Sequence, residues 1–155
     1  LRKPEKGIVA AKKGIALDPN GAHGYLYLSM ALRLAERFEE AVPPIEKAIR
    51  LNPFPPVSYF RSACMAYIGV GSYEKAIGAG KRGIAIGPDE ILCHLALTAA
   101  YNLAGREEEA RSAAKEVLRI NPKFSVNILG KRLAHWEKEL LEQFLAALRK
   151  AGLPE

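Results

Sequence analysis

The chain has 155 residues, 49% of them hydrophobic and 26% charged, which is enough apolar length for one domain with a sizeable core and too much for a disordered polymer. Lys and Arg (23) outnumber Asp and Glu (17), a mild excess giving a net charge of +6. Two cysteines, Cys64 and Cys93, are too few for a disulfide-stapled scaffold and lack the paired C-x-x-C spacing of structural zinc, and no uncharged apolar run approaches the roughly 20 residues that cross a bilayer.

The opening Leu1-Arg2-Lys3-Pro4 is not followed by a charged-then-apolar leader. The expectation is therefore a processed or excised piece, with a cytoplasmic setting favoured. Residues 4–19 form one helix ending at Pro19. From there the apolar positions keep helical period through Tyr25, Leu28, Ser29 and Leu32, break at Glu36-Arg37, and resume at Phe38, Ala41, Ile45, Ala48 and Ile49. The pattern predicts two antiparallel helices joined by a short turn. Pro43 and Pro44 fall about one turn into the second of them, which predicts a bend or a late start near Ala41.

The same pair of helices returns with turns at Gly71-Ser72 and Gly105-Arg106. Leu17-Asp18-Pro19, Leu51-Asn52-Pro53, Ile86-Gly87-Pro88 and Ile120-Asn121-Pro122 place their prolines 34, 35 and 34 residues apart. Ala41, Ala76 and Ala110 each precede the proline that ends their unit, Pro53, Pro88 and Pro122, by twelve residues. Two markers in register at this period signify a solenoid of helical hairpins. After Pro122 the pattern decays, because Lys131 and Arg132 replace the packing pair that would follow Ile128. A last helix, roughly Glu137 to Lys150, carries Leu140, Leu141, Phe144, Leu145 and Leu148 on one stripe and is expected to cap the final unit.

These offsets resemble the tetratricopeptide repeat family. Residues 22–55 supply Tyr25, Leu28, Ser29, Leu32, Ala41, Ile45, Ala48 and Pro53; residues 57–90 supply Phe60, Ala63, Cys64, Tyr67, Ala76, Gly80, Gly83 and Pro88; residues 91–124 supply His94, Leu97, Thr98, Tyr101, Ala110, Ala114, Val117 and Pro122. The resemblance implies an all-α, right-handed superhelix forming a single domain, with residues 125–155 as capping helices. Residues 4–19, with Gly7, Ala11, Gly14 and Pro19, match only the second helix of a preceding unit, so the natural protein is expected to continue upstream. The tail Leu148-Arg149-Lys150-Ala151-Gly152-Leu153-Pro154-Glu155 is also similar to the C-terminus of bacterial class III adenylate/guanylate cyclases that carry such repeats. That likeness implies a larger bacterial parent, whose upstream domains are candidate partners.

Register places one side of each first helix on a concave groove. Its residues are His23, Leu26, Met30 and Arg33, then Ser58, Arg61, Met65 and Ile68, then Leu92, Leu95, Ala99 and Asn102, with Tyr27 and Ser62 at the flank. An apolar lining with two methionines suits a protein or peptide partner, extended or helical. The alternative is that these residues cover one another or meet a terminal helix of the same chain. Leu26, Met30, Ser62, Leu92 and Ala96 stand where related proteins use Lys and Asn to clamp a chaperone's terminal carboxylate, which argues against that ligand.

No enzyme reading survives the spacing. Gly78, Gly80 and Gly83 around Lys81 lack the phosphate-loop pattern, with Lys75 and Arg82 at two of its essential places, and they fall inside a predicted helix. There each glycine costs about 0.5–1 kcal/mol. His23, His94 and His135 form no metal pair, and His94 sits at a packing position. Cys64 and Cys93 read as buried thiols, and no Ser-His-Asp arrangement is present. No catalytic residue, cofactor or metal is expected. Arg2, Lys3, Lys6, Lys12, Lys13, Lys131-Arg132 and Arg149-Lys150 make a basic edge, whose alternative role is binding nucleic acid or anionic membrane, although no specific nucleic-acid motif accompanies it. The reading favoured is a non-enzymatic interaction scaffold.

Overall fold

In a computed structural model describing residues 3–134, 136 and 138–155, the chain forms α1 (Lys3–Leu17), α2 (Ala22–Leu34), α3 (Phe38–Leu51), α4 (Val57–Gly69), α5 (Tyr73–Ile86), α6 (Ile91–Leu103), α7 (Glu107–Ile120), α8 (Val126–Arg132) and α9 (Lys138–Lys150). No strand occurs among the described residues, and no helix there is long and apolar enough to cross a membrane. The start expected for α9 at Glu137, and His135, lie outside the described residues.

The hairpins α2–α3, α4–α5 and α6–α7 close with one and the same turn. Glu36, Gly71 and Gly105 adopt left-handed backbone, with φ of 61°, 71° and 76°. The next N–H in each turn, from Arg37, Ser72 and Arg106, donates back to Leu32, Tyr67 and Tyr101 at 2.9 Å. This is the six-to-one bond that satisfies helix-terminal carbonyls and reverses the chain. Glu36 takes the place of a glycine there, at the steric cost that a side chain meets in left-handed backbone.

Between units the second helices end just before a proline. Asp18, Asn52 and Asn121 each turn a side-chain oxygen to the N–H two residues on, at 3.3, 3.0 and 3.1 Å, a local bond that competes with helix continuation. The next first helix then reaches back to the proline carbonyl. Tyr25 Oη donates to Pro19 O at 2.9 Å, and His94 Nε2 lies 2.6 Å from Pro88 O. His94 thus fills in its own unit the place that Tyr25 fills in the first, as a buried packing side chain with a polar tip.

Small side chains let each pair of helices approach. Ser29, Cys64 and Thr98 and, twelve residues on, Ala41, Ala76 and Ala110 are all at 0% exposure, and Ser29 Oγ donates to Ala41 O at 2.8 Å. Cys64 and Cys93 are buried free thiols. Successive hairpins pack α3 on α4 and α5 on α6, with first helix against first helix from α2 to α4 to α6. This is an αα solenoid.

The late start expected near Ala41 does not occur. α3 begins at Phe38 and runs through Pro43 and Pro44. The prolines leave the Glu39 and Glu40 carbonyls without helical donors, but both residues are exposed to water, while Pro44 is buried with Ala41, Ile45 and Ala48 on the packing face. The α5 glycines divide similarly. A Cβ on Gly83 would stand 2.5 Å from Cys93 Sγ and 3.3 Å from Phe60 Cβ, and one on Gly80 3.0 Å from Leu97, whereas Gly78 faces open space. Gly78→Ala is expected to raise the unfolding free energy by about 0.5–1 kcal/mol through helix propensity. Gly83→Ala is expected to lower it by about 1–3 kcal/mol through overpacking. Urea denaturation of the two variants checks both signs.

Candidate functional site

The first helices α2, α4 and α6 line up their groove residues, and the C-terminal segment folds over them. α9 packs on α6, pinned at its far end by Lys150 Nζ to Glu107 at 2.8 Å and by the Val126 N–H donating to Pro154 O at 2.8 Å. Its stripe is buried at Phe144, Leu145 and Leu148. Leu140 and Phe144 line one narrow crevice with Arg33, Leu34, Met65 and Ile68. α9 therefore caps the last hairpin and also occupies the C-terminal part of the expected groove.

Beneath it lies a cavity of about 150 Å³. Seven of the expected groove residues, Met30, Arg33, Ser58, Arg61, Met65, Leu92 and Leu95, line it together with Ser62 of the expected flank. The other wall is Leu129, Leu133, Trp136 and Phe144, and the Trp136 and Phe144 rings sit 5.5 Å apart. Sequence register did not bring these four to the site. The amphipathic stripe of α9 was the available signal, but a stripe says that a helix is covered, not by what.

The remaining expected residues are dispersed. Leu26 and Ala99 are buried in the core and do not line the cavity. Asn102 is half-buried, with Nδ2 lacking a hydrogen-bond partner. His23 and Tyr27 stand exposed and, together with Met30, line an open basin of about 630 Å³ whose other wall is α1, at Gly7, Ala10, Ala11 and Gly14.

The two arginines of the cavity differ in their electrostatics. Arg61 Nη1 binds Glu90 Oε1 at 2.8 Å, and the other Glu90 oxygen accepts from the Cys93 N–H at 2.6 Å, so this carboxylate both caps α6 and neutralises Arg61. Arg33 has no acid within ion-pair reach among the described residues, and its Nε is buried without a hydrogen bond. Burial, and then the like charge of Arg61, push its pKa down to about 10. It still carries its proton at neutral pH, so a half-buried cation without an ion-pair partner among the described residues borders a mostly apolar cavity. Ser62 Oγ is also buried there without a partner.

Nothing in this arrangement resembles nucleophilic chemistry. Burial, then the neighbouring Glu90 carboxylate, pushes the Cys93 thiol up to about 11, and burial raises Cys64 further, so neither supplies a thiolate at neutral pH. The glycines around Lys81 lie within α5, and no metal-holding cluster occurs among the described residues. On the basic edge, Arg149 binds Glu155 at 2.8 Å and Lys150 binds Glu107, which balances those two charges.

Solved structures share this fold. A crystal structure of MamA protein is 28% identical, with a TM-score of 0.68 over 77% of this chain and 65% of that one, so the chain spans less than two thirds of its length. YrrB, described as a TPR protein with an unusual peptide-binding site, is 20% identical over 96% of this chain and 76% of its own, with a TM-score of 0.69. TTC0263, a thermophilic TPR protein of Thermus thermophilus, is 23% identical over 92% and 71%, with a TM-score of 0.66. Neither family models nor curated proteins give a match. The αα solenoid of tetratricopeptide repeat proteins is thus the fold of this chain.

The unpaired guanidinium has a stability cost that an apolar side chain of similar reach removes. Arg33→Met is expected to raise the unfolding free energy by about 1–3 kcal/mol, read as a higher urea midpoint at unchanged m-value. A lower midpoint would show that Arg33 is compensated.

Proposed function

We propose that the chain is a non-enzymatic protein-interaction scaffold that takes an amphipathic helix or peptide on its concave face. The observation that carries this reading is the seating of α9 against the first helix α6, with Leu140 and Phe144 facing Arg33, Met65 and Ile68 across a narrow crevice, much as a ligand helix would. The chain's own helix thereby describes the ligand class: an apolar stripe of Leu and Phe at helical spacing. The part left free, around His23, Tyr27, Met30 and Leu34, offers apolar surface, with Tyr27 57% and Leu34 45% exposed. The peptide-binding site attributed to YrrB, a protein of the same fold, supports the reading by analogy.

In this proposal the whole chain is a single repeat domain, made of a half unit at 4–19, full units at 22–55, 57–90 and 91–124, and capping helices from 125 onward. The likeness of residues 148–155 to cyclase termini supports a place at the end of a larger bacterial protein, where upstream domains would be natural partners.

Peptides selected from a random helical library on the folded chain test the reading. Tyr27→Asp with Met30→Asp is expected to weaken the selected binders by roughly tenfold or more while leaving the far-ultraviolet circular dichroism intact. Binders that ignore both substitutions would place recognition elsewhere and refute the concave face as the docking surface.

A further inference from the structure

We propose that the cavity under α9 is a binding site for a small apolar monocarboxylic acid, its carboxylate held by Arg33 and Ser62 and its hydrocarbon body by Leu129, Leu133, Trp136 and Phe144. The inference concerns a different ligand from the peptide of the open groove and does not depend on it.

Size comes first. A cavity of about 150 Å³ is the size at which an apolar enclosure in another protein admits benzene, which sets the ligand at roughly six to nine non-hydrogen atoms. Leu129 of α8, Phe144 of α9, Leu133 and Trp136 wall the cavity on the side away from the repeats, and its volume suits a small molecule and not a peptide segment. A narrow crevice sharing Arg33, Met65, Trp136 and Phe144 with the cavity reaches the exposed Glu36 and provides a route of entry for a small molecule.

Charge decides the chemical class. A purely apolar cavity stays dry and takes a neutral hydrocarbon, but this one carries a cation with no acid within ion-pair reach among the described residues and a serine, 3% exposed, whose hydroxyl oxygen has no partner. The second cation, Arg61, is already matched by Glu90. One uncompensated positive charge calls for one negative charge. A dianionic phosphate would leave a net anion in the enclosure, whereas a carboxylate restores neutrality and accepts the forked N–H donors of a guanidinium. Ser62 then donates its hydroxyl proton to the same carboxylate. The four apolar residues opposite exclude short polar acids, which bury too little hydrocarbon to offset their desolvation.

Trp136 is the chain's one tryptophan and a wall of the cavity, so its fluorescence reports occupancy directly. Hexanoate titrated into the full chain at pH 7 is expected to change the Trp136 emission saturably and to raise the melting temperature. Hexan-1-ol, with the same body and no charge, is expected to bind roughly tenfold or more weaker. Arg33→Met, which removes the buried charge without opening the core, is expected to abolish the preference for the acid while keeping the alcohol's weak binding. Equal responses to acid and alcohol, or an acid response that survives Arg33→Met, would overturn the assignment. So would a Trp136 response to acidic peptides alone with none to the free acid, since the guanidinium would then belong to a partner's side chain.

Discussion

Every other feature of this molecule depends on one steric constraint, the close approach of two helices at a pair of small residues. Ser29, Cys64 and Thr98 and, twelve residues after each, Ala41, Ala76 and Ala110 are fully buried in the three hairpins, and Ser29 bonds to Ala41 across the first of them. With no side chain longer than a few atoms at the crossing, the hairpin arms pack along their length, and the next hairpin repeats the step. The pitch of that step keeps α2, α4 and α6 together on one side. Turns with identical backbone bonding at Glu36, Gly71 and Gly105 hold each arm in register. A change at one unit therefore propagates as a change of curvature, not as a local defect.

This regular part was legible in the amino-acid order because it is local. Proline spacing, the Asx residues before three of the prolines, and the small residues at fixed offsets all act within one unit. What was not legible is long-range. Register places Arg33 on the groove side of α2, where a surface anchor would stand, yet the return of α9 encloses it away from any carboxylate among the described residues. The amphipathic run from Leu140 to Leu148 announces a covered helix without naming the surface that covers it. Pro43 and Pro44 left two outcomes open, a bend or a late start, and only the late start is excluded by α3 beginning at Phe38. Within the helix, Pro44 is buried on the packing face while the two carbonyls that lose their donors, on Glu39 and Glu40, face water.

The functional surface follows from the same geometry. First helices placed side by side leave a strip of apolar residues that no partner within the repeats covers, and the C-terminal helix covers part of it. The strip thus divides into an open basin beside α1 and a closed cavity under α9, with Met30 on the wall of both. The part under α9 holds a guanidinium with no ion-pair partner among the described residues, for which a stability cost is expected. A stability cost concentrated in a concave site is the usual mark of binding function set against packing.

The central claim is that three hairpins place like residues in like environments, and the most direct measurement is the unfolding free energy of Ala41→Leu, Ala76→Leu and Ala110→Leu. The account predicts comparable losses from all three, about 1–3 kcal/mol or more each, since every one forces a large side chain into the same crossing. One of the three tolerated without loss while another unfolds the chain would contradict it.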